Sequence, residues 1–462
     1  MTSRLVSRRS FLTGAAAAAG GGLLAACAPM ATPQVVRETV VVKETVVVQA
    51  EPTKAPPGSI SIDFWYIWGG DGGKAMEAVS AEFEKRNPEV KMHPLTVGGV
   101  ILDKTLAAYA AGAPPDICDL ILCAPLAARG ALVPIDDFMA VTTVVKEDNY
   151  FDAQWDGTKW AGRRWGLPAN EGLGWLGLFR NRGLVREAGL DESQLPQTYE
   201  ELRTWSQAIT KVDEKGAIEI LGYSPAGMVN YPDCASVVMG VRYFDPDALK
   251  YNLTDERFVE YFYKEKLFYD DVGPENLADF RASFSGQAIA DPAAAGKVGL
   301  WTTGSWGPGY LVHNAAEGLE WGVSYMVDGA GQGAKPFFAG THTMMMLKGA
   351  DVEWAWKFLE FSSTDEYIKM VYDISGFIMG TKSFINSLDA STLYPGLEFF
   401  IRGLSEGTRV WGLGGDPNWY LLWSEFFNIN EAVGFGQTTP EEALANLQKM
   451  ATEELDKLIG RR

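Results

Sequence analysis

The chain has 462 residues, of which 47% are apolar and 21% are charged. This composition is typical of a soluble globular protein, and the length exceeds what one hydrophobic core usually organises, so we expect two lobes. The formal net charge of −19 argues against a nucleic-acid-binding surface and against electrostatic adhesion to anionic lipid. The 15 Trp, 17 Tyr and 23 Phe residues are typical either of a large aromatic core or of a cleft that stacks flat, hydroxyl-bearing ligands.

Residues 1–26 have the features of a cleavable export signal. The segment S-R-R-S-F-L at 7–12 leads into an apolar run from Phe11 to Ala26, whose 16 residues fall short of the roughly 20 that span a bilayer. The paired arginines resemble a twin-arginine (Tat) signal, with Thr13 as the one departure. L-A-A-C at 24–27 resembles a bacterial lipobox, which implies that a lipidated Cys27 becomes the amino terminus.

Residues 27–58 are interpreted as a flexible linker. Loss of the leader removes three arginines, which leaves 37 basic against 59 acidic residues and a net charge of −22. The membrane link is therefore expected to be the lipid on Cys27. R-E-T-V-V-V at 37–42 is repeated as K-E-T-V-V-V at 43–48, before a Pro-rich end that cannot pack. An alternative is that the Val-rich repeat pairs as β-structure with a neighbour.

The cysteines and histidines predict neither a metal nor a cofactor. Cys118, Cys123 and Cys234 are an odd set, so at least one thiol stays free. Cys118 and Cys123 fall in one predicted strand and on opposite faces of it, so we interpret all three as small buried hydrophobes. The three histidines of the chain are not accompanied by a cluster of other metal ligands. A G-x-S-x-G motif for a nucleophilic hydrolase is also missing.

From residue 59 onward, strand and helix patterns alternate. The predicted elements are, in chain order, a strand over Ser59–Trp65, a helix over Lys74–Arg86, a strand over Val90–His93, a helix over Ile101–Ala111 and a strand over Asp116–Cys123. This alternation predicts an α/β fold with a mainly parallel sheet, whose ligands bind at the carboxyl ends of the strands. Further on, the apolar run Val298–Trp301 predicts a buried strand that leads through T-T-G-S to Trp306. This strand places the Trp306 ring either in a cleft or in an ordinary turn that packs against the core.

A set of short motifs resembles the family 1 extracellular solute-binding proteins of ABC importers, the maltose-type sugar binders. The matching segments, in the family's order, are W-G-G-D at 68–71, F-E-K-R-N-P-E-V at 83–90, D-G-T-K-W at 156–160, W-G-L-P at 165–168, P-Q-T-Y-E-E-L at 196–202, G-K-V-G-L-W-T-T-G-S-W at 296–306, A-W-K-F-L at 355–359 and T-P-E-E-A-L at 439–444. Each match is short, but the ordered set covers about residues 60 to 455. The segment G-F-I-M-G-T at 376–381 departs from the family's usual G-x-L-P-x.

The resemblance implies a two-lobe, periplasmic-binding-protein-like α/β fold with a multi-crossing hinge. Lobe one would comprise 59–165 and 323–365, and lobe two 166–322 and 366–462. Crossings are expected near Gly166–Pro168, Trp321–Val327 and Ser362–Asp365. The implied protein is a monomeric binding lipoprotein at the extracytoplasmic face of the membrane. It would capture a mono- or oligosaccharide and deliver it to a membrane ABC permease, without being an enzyme.

The family correspondence also suggests residues that contact the ligand. A sugar offers apolar faces ringed by hydroxyls, so its receptor needs aromatic platforms with carboxylates and amides at their rims. The candidate ligand-binding residues are Trp65, Trp68, Asp71, Asn170, Glu171, Ser305, Trp306, Thr341, His342 and Trp419. Asp71 is equally compatible with a turn residue that caps its own G-G-D-G-G backbone.

A function of another class uses the same aromatic cleft. A secreted glycoside hydrolase or lyase would need two carboxyl groups that flank the scissile bond, one of them with a raised pKa. Asp71 and Glu171 are the pair that could serve, although no motif of such an enzyme accompanies them.

Overall fold

The computed structural model describes residues 59–284 and 290–460, so the predicted leader, Cys27 and the linker lie outside the described residues. The strands are β1 Ile60–Tyr66, β2 Val90–Thr96, β3 Ile117–Leu120, β4 Lys159–Trp160, β5 Arg163–Arg164, β6 Leu167–Ala169, β7 Gly177–Asn181, β8 Lys211–Val212, β9 Ile218–Tyr223, β10 Phe244–Asp245, β11 Lys250–Tyr251, β12 Val298–Thr303, β13 Trp321–Ser324, β14 Pro336–Ala339, β15 His342–Met346 and β16 Arg409–Gly412. The α-helices are α1 Gly70–Arg86, α2 Ile101–Ala110, α3 Ala124–Ala128, α4 Asp136–Met139, α5 Asp152–Asp156, α6 Arg182–Glu187, α7 Tyr199–Ile209, α8 Pro232–Met239, α9 Glu256–Val272, α10 Pro274–Ala282, α11 Ala290–Ala294, α12 Gly307–Asn314, α13 Val352–Ser362, α14 Asp365–Ser375, α15 Lys382–Ser387, α16 Leu397–Glu406, α17 Trp419–Gly434 and α18 Pro440–Ile459.

A first five-stranded sheet has the order β2-β1-β3-β15-β6. Strands β2 and β3 pair with β1 in parallel, while β15 is antiparallel to both β3 and β6. In this arrangement the carboxyl ends of β1, β3 and β6 and the amino end of β15 lie at one edge. Residues that follow β1, β3 and β6, together with His342 at the start of β15, are therefore brought to the same side of the sheet.

A second five-stranded sheet has the order β13-β7-β12-β9-β8. Strand β12 is parallel to β9 and antiparallel to β7, with Leu300 opposite Arg180. The carboxyl ends of β12 and β9 therefore share an edge with the amino end of β7. Both sheets are mixed in strand direction. In the first sheet β2, β1, β3 and β6 run the same way and only β15 is reversed, so the predicted mainly parallel sheet matches the first sheet.

The helix α1 illustrates how the pattern of the sequence sets the local structure. Met76, Val79 and Phe83 are buried at helical spacing, while Asp71 in the first turn and basic residues in the last turn complement the helix dipole. The prediction of a helix here is confirmed, with a start at Gly70 rather than at residue 74. The predicted first strand and the predicted strand at Val298–Trp301 are confirmed as β1 and β12.

One predicted strand is shorter than expected. β3 ends at Leu120, and Cys123 has helical backbone angles at the start of α3. The assignment of Cys118 and Cys123 to a single strand is therefore wrong. Both thiols and that of Cys234 are nevertheless buried and unpaired, so their interpretation as small buried hydrophobes is confirmed.

The chain passes between the two sheets between β6 and β7, and again between β13 and β15. α14 packs against α1 beside the first sheet, although the lobe division predicted from the sequence puts residues from 366 onward in the second lobe. Helices α17 and α18 pack with α9. Across residues 59–284 and 290–460, the structure contains no helix with the length and apolar character needed to cross a membrane.

Candidate functional site

A cavity of about 850 Å³ lies where the edges of the two sheets face each other. Its walls are made mainly of aromatic rings, glycines and a few polar side chains. The aromatic and polar lining residues are Trp68, Asp71, Glu171, Trp175, Tyr231, Trp301, Thr302, Thr303, Trp306, Tyr310, His313, Asn314, His342, Ser375, Phe377 and Phe427. Since a sugar-sized ligand needs a few hundred Å³, this volume is sufficient for a small oligosaccharide.

The first-sheet wall is a group of three side chains from three strand ends. Trp68 follows β1, Glu171 follows β6 and His342 begins β15. The indole N–H of Trp68 donates to Glu171 Oε2 at 3.2 Å, and the Trp68 and His342 rings lie 4.6 Å apart. Gly72 makes this position of Trp68 possible, because a Cβ on that glycine would lie only 2.7 Å from Trp68 Cβ and 2.8 Å from the Phe377 ring.

A chain of buried hydrogen bonds supports His342 from behind. His342 Nδ1 lies 2.9 Å from Asp119 Oδ1, and Asn170 Nδ2 donates to Asp119 Oδ2 at 2.6 Å. The Tyr367 hydroxyl on α14 then donates to Asn170 Oδ1 at 2.7 Å. Asp119 is completely buried. Its two oxygens accept one hydrogen bond from Asn170 and one from His342 when Nδ1 of His342 carries a proton. The relay therefore fixes the ring with Nε2 directed away from Asp119.

The second-sheet wall is built from rings that follow β12 and β9 or precede β7. The half-buried Trp306 meets Trp175 edge to face at a ring separation of 6.3 Å. A Cβ at Gly304 would overlap the Trp306 ring, so the Gly in G-S-W is what lets this ring fold back over the strand end. Tyr231, which follows β9, adds a third ring to this wall.

The electrostatic environment of the cavity is acidic. Glu171 is 8% exposed, and burial is the main reason that its pKa is raised, with the Trp68 hydrogen bond and His342 acting in the opposite direction. The exposed Asp71 is paired with Lys74 at 2.8 Å, and this hydrogen bond lowers the pKa of Asp71. Among the described lining residues there is no Lys or Arg.

Five of the ten predicted site residues line this cavity. They are Trp68, Asp71, Glu171, Trp306 and His342. Asn170 and Thr341 lie behind the wall: Asn170 is a member of the buried relay, and the Thr341 hydroxyl donates to the backbone oxygen of His342 at 2.9 Å. Ser305 is also buried outside the lining, with its Oγ unpartnered among the described residues.

The two other predicted residues are placed elsewhere, and their expected contact with the ligand needs correction. Trp65 lies on the face of β1 opposite Phe64, where it packs against a separate apolar cluster. Trp419 is completely buried and donates its indole N–H to Asp233 Oδ2 at 2.5 Å. Its ring lies 5.8 Å from that of Tyr231, so Trp419 supports a cavity ring from behind instead of facing the cavity.

The sequence reasoning missed several cavity rings. Trp175, Tyr231, Phe377 and Phe427 all line the cavity, although none of them is among the ten candidate ligand-binding residues. Trp175 precedes β7 and follows the glycines of N-E-G-L-G-W, a signal that resembles the G-S-W segment and that could have identified it. Tyr231 and Phe427 have no comparable flanking signal in the sequence. Trp301, which was expected to be core, is indeed 2% exposed, although its edge also reaches the cavity.

A comparison with protein families decides the classification. The model of the bacterial extracellular solute-binding proteins matches residues 68–369, which is more than half of the chain. The chain belongs to this family. The resemblance inferred from the ordered motifs is therefore confirmed.

Individual proteins that resemble this chain do so at low sequence identity. The sn-glycerol-3-phosphate-binding periplasmic protein UgpB of Shigella flexneri is 26% identical over 154 residues, which cover 32% of this chain and only 34% of that protein. A solved structure of CpMnBP1 with mannobiose bound is 25% identical and has a TM-score of 0.75, covering 85% of this chain and all of that one.

Two further solved structures show likeness of fold. The sugar-binding protein MalE of Xanthomonas citri is 22% identical with a TM-score of 0.67, over 86% of this chain and 98% of that one. The Listeria monocytogenes substrate-binding protein Lmo0181, in complex with cycloalternan, is 20% identical with a TM-score of 0.67, over 87% of this chain and 100% of that one. The predicted fold class, a two-lobe periplasmic-binding-protein-like α/β fold, is confirmed.

Proposed function

We propose that this solute-binding protein captures a carbohydrate between two lobes and delivers it to a membrane ABC permease. The observation that carries the proposal is the cavity of about 850 Å³ whose aromatic walls come from facing edges of two sheets. Aromatic faces match the apolar faces of sugar rings, while Glu171, His342 and Asn314 offer polar groups to the hydroxyls at the rim. The mannobiose-bound relative supports the same ligand class.

The mechanism that follows is hinge closure without covalent chemistry. Trp68, Glu171 and His342 belong to the first sheet's edge, and Trp306 and Tyr231 to that of the second. A ligand that touches both sets gains contacts only when the lobes approach, so it shifts the equilibrium toward the closed form. The closed form would present both lobes to the permease together. We propose that the two lobes are built on the two five-stranded sheets, so that β6 with Glu171 and the helix α14 belong to the first lobe. This differs there from the division expected from the sequence, 59–165 with 323–365 and 166–322 with 366–462.

Intrinsic tryptophan fluorescence tests this proposal directly, because Trp68, Trp175, Trp301 and Trp306 line the cavity. The purified mature protein is titrated with mannobiose, maltose, cellobiose and the β-1,4-linked glucosamine disaccharide, and small-angle scattering follows compaction. Saturable quenching or enhancement with a decrease in the radius of gyration is expected for at least one saccharide. Saturation by a peptide or a metal ion, with no response to any saccharide, would refute the carbohydrate assignment.

We further propose that the chain acts without turnover of its ligand. The rival assignment, a glycoside hydrolase or lyase, would use Asp71 and Glu171, whose pKa values are shifted in opposite directions. Asp71 is however half exposed and held by Lys74. Incubation of the same disaccharides with the protein, followed by chromatography, should return them intact. Hydrolysis that is abolished in both Asp71→Asn and Glu171→Gln would establish the enzyme instead.

Anchoring through a lipidated Cys27, export by the twin-arginine route and a monomeric state complete the proposal. Support comes from the L-A-A-C and S-R-R-S-F-L segments of the leader. In a bacterial expression host, Cys27→Ala should release the processed protein from the membrane fraction, whereas the unchanged chain should remain there after a high-salt wash. A Cys27→Ala chain that still sediments with membranes would contradict the lipid anchor.

A further inference from the structure

The strongest unassigned feature of the cavity is a buried carboxylate that has no basic partner. Glu171 is 8% exposed and takes part in no ion pair within the described residues. The one hydrogen bond that its carboxylate makes there is with the neutral indole N–H of Trp68, which donates to Oε2. Buried carboxylates in proteins are normally paired with a cation or kept protonated, because an isolated buried charge is costly.

The ionisable groups around Glu171 cannot supply the missing charge. Asp119 and His342 face it from the first sheet, and the Tyr231 hydroxyl faces it from the second-sheet side. Asp119 is itself a buried carboxylate bonded to His342 Nδ1. The basic side chain that faces Glu171 is therefore already engaged by another carboxyl group.

The wider cavity offers no compensation either. Asp71, the other lining carboxylate, is satisfied by Lys74 outside the lining, and His313 lies exposed at the margin. No described lining residue is Lys or Arg. An anionic ligand such as a phosphate ester would therefore find no ammonium or guanidinium partner among these lining residues.

The rings that share the cavity with Glu171 favour the opposite sign. Trp68, Trp175, Trp306, Tyr231 and Phe377 all line it. The faces of aromatic rings attract cations, most strongly when the site excludes water. A carboxylate and aromatic rings in the lining of one cavity suit a protonated amine, and the same rings still accept the apolar faces of a sugar.

We propose that the ligand is a saccharide that carries a protonated amino group, and that Glu171 is its counter-ion. This inference rests on the proposed capture of a carbohydrate and adds the charge class of that carbohydrate. It distinguishes this chain's cavity from a site for an anionic solute, such as the glycerol phosphate named for the relative from Shigella flexneri.

The test compares three disaccharides with the same linkage that differ only in the substituent on carbon 2 of each ring. The β-1,4-linked disaccharides of glucosamine, N-acetylglucosamine and glucose carry an ammonium, an acetamide and a hydroxyl group at carbon 2. Isothermal titration calorimetry at about pH 6 should give at least roughly tenfold tighter binding for the amine, since a charge-assisted hydrogen bond contributes more than a neutral one. This preference should shrink toward about pH 9, where the amine loses its proton.

Variants separate the role of Glu171 from general damage to the cavity. Glu171→Gln keeps the shape of the side chain but removes its charge, so the amine-to-hydroxyl affinity ratio should fall to about one. Glu265→Gln is the matched control, because Glu265 is a completely buried carboxyl group that accepts from the Tyr199 hydroxyl and does not line the cavity, and it should retain the ratio of the unchanged protein. If Glu171→Gln does not fold, the comparison of the three disaccharides on the unchanged protein still tests whether the cavity prefers an amine.

The outcomes distinguish this inference from the proposed function. Tight binding of the glucosamine disaccharide that depends on Glu171 supports both. Equal or tighter binding of cellobiose, with no effect of Glu171→Gln on the ratio, overturns the charge class and leaves carbohydrate capture standing. Binding of choline or glycine betaine without any saccharide overturns carbohydrate capture and supports a cation site, and failure of every amine to bind overturns the inference.

Discussion

Replacement of Trp306 by alanine tests the second-sheet wall of the cavity. A covered tryptophan removes roughly 200 Å² of surface from water, and the Trp306 ring is already half-buried against Trp175 and Gly304. About 100 Å² therefore remains for a ligand, which at about 25 cal/mol per Å² contributes about 2.5 kcal/mol. We expect Trp306→Ala to raise Kd by roughly 30-fold to 70-fold.

The same substitution should lower stability by a comparable amount. The half of the ring that is already buried, about 100 Å², contributes about 2.5 kcal/mol, and the edge-to-face contact with Trp175 contributes about 0.5–1.5 kcal/mol more. In a chain of this length the melting temperature should therefore fall by about 5 °C. Titration calorimetry with the disaccharide that binds best, together with a thermal melt without ligand, measures both effects. Trp65→Ala is the control of equal size, because Trp65 is also half-buried but packs outside the cavity. Unchanged affinity in Trp306→Ala, or a larger loss in Trp65→Ala, would refute the assignment of this wall.

Three further substitutions probe the buried polar groups. Asp119→Asn should weaken saccharide binding about tenfold and lower the free energy of unfolding by about 2–4 kcal/mol. The reason is that an amide, which has one oxygen, cannot accept from both Asn170 and His342 Nδ1. Unchanged affinity in calorimetry would argue against a role of these hydrogen bonds in holding His342. Trp419→Phe should lower the free energy of unfolding in chemical denaturation by about 1–3 kcal/mol, because the hydrogen bond to the buried Asp233 carboxyl group is lost, and it should leave Kd unchanged. A large rise in Kd would indicate that Trp419 contacts the ligand. Burial raises the pKa of Glu265 to about 8, above its unfolded value. Its contribution to stability is therefore complete below about pH 4.5 and is lost as the pH rises through about 8. The melting temperature should fall more steeply across this range for the unchanged protein than for Glu265→Gln, and equal slopes would contradict the raised pKa.

Local patterns predicted most of the elements that carry the cavity. The strand before T-T-G-S-W and the helix with Met76, Val79 and Phe83 were predictable because their burial follows a simple period along the chain. The position of Trp68 and Trp306 beyond strand ends also followed from the ordered motifs. These features depend on residues that are near one another in sequence.

Features that depend on distant residues could not be predicted. Trp419 looked like a cavity platform, but it is buried by Asp233 and Tyr231, which lie almost two hundred positions earlier. Likewise, only the three-dimensional arrangement shows that Asn170 bonds to Asp119 behind the wall. The early end of β3 has a similar cause, since Cys123 begins a short helix where the apolar pattern alone continues.

Three tryptophans of the cavity also belong to the hydrophobic core. Trp68, Trp175 and Trp301 are 8%, 2% and 2% exposed and are members of the core clusters, whereas Trp306, Tyr231 and Phe377 are half-exposed. A substitution at any of the three core positions alters ligand contact and folding together, so a change of ligand preference there carries a cost in stability. The half-exposed rings carry a smaller cost. We expect natural variation in ligand preference among close homologues to concentrate at these half-exposed rings, around three constant tryptophans.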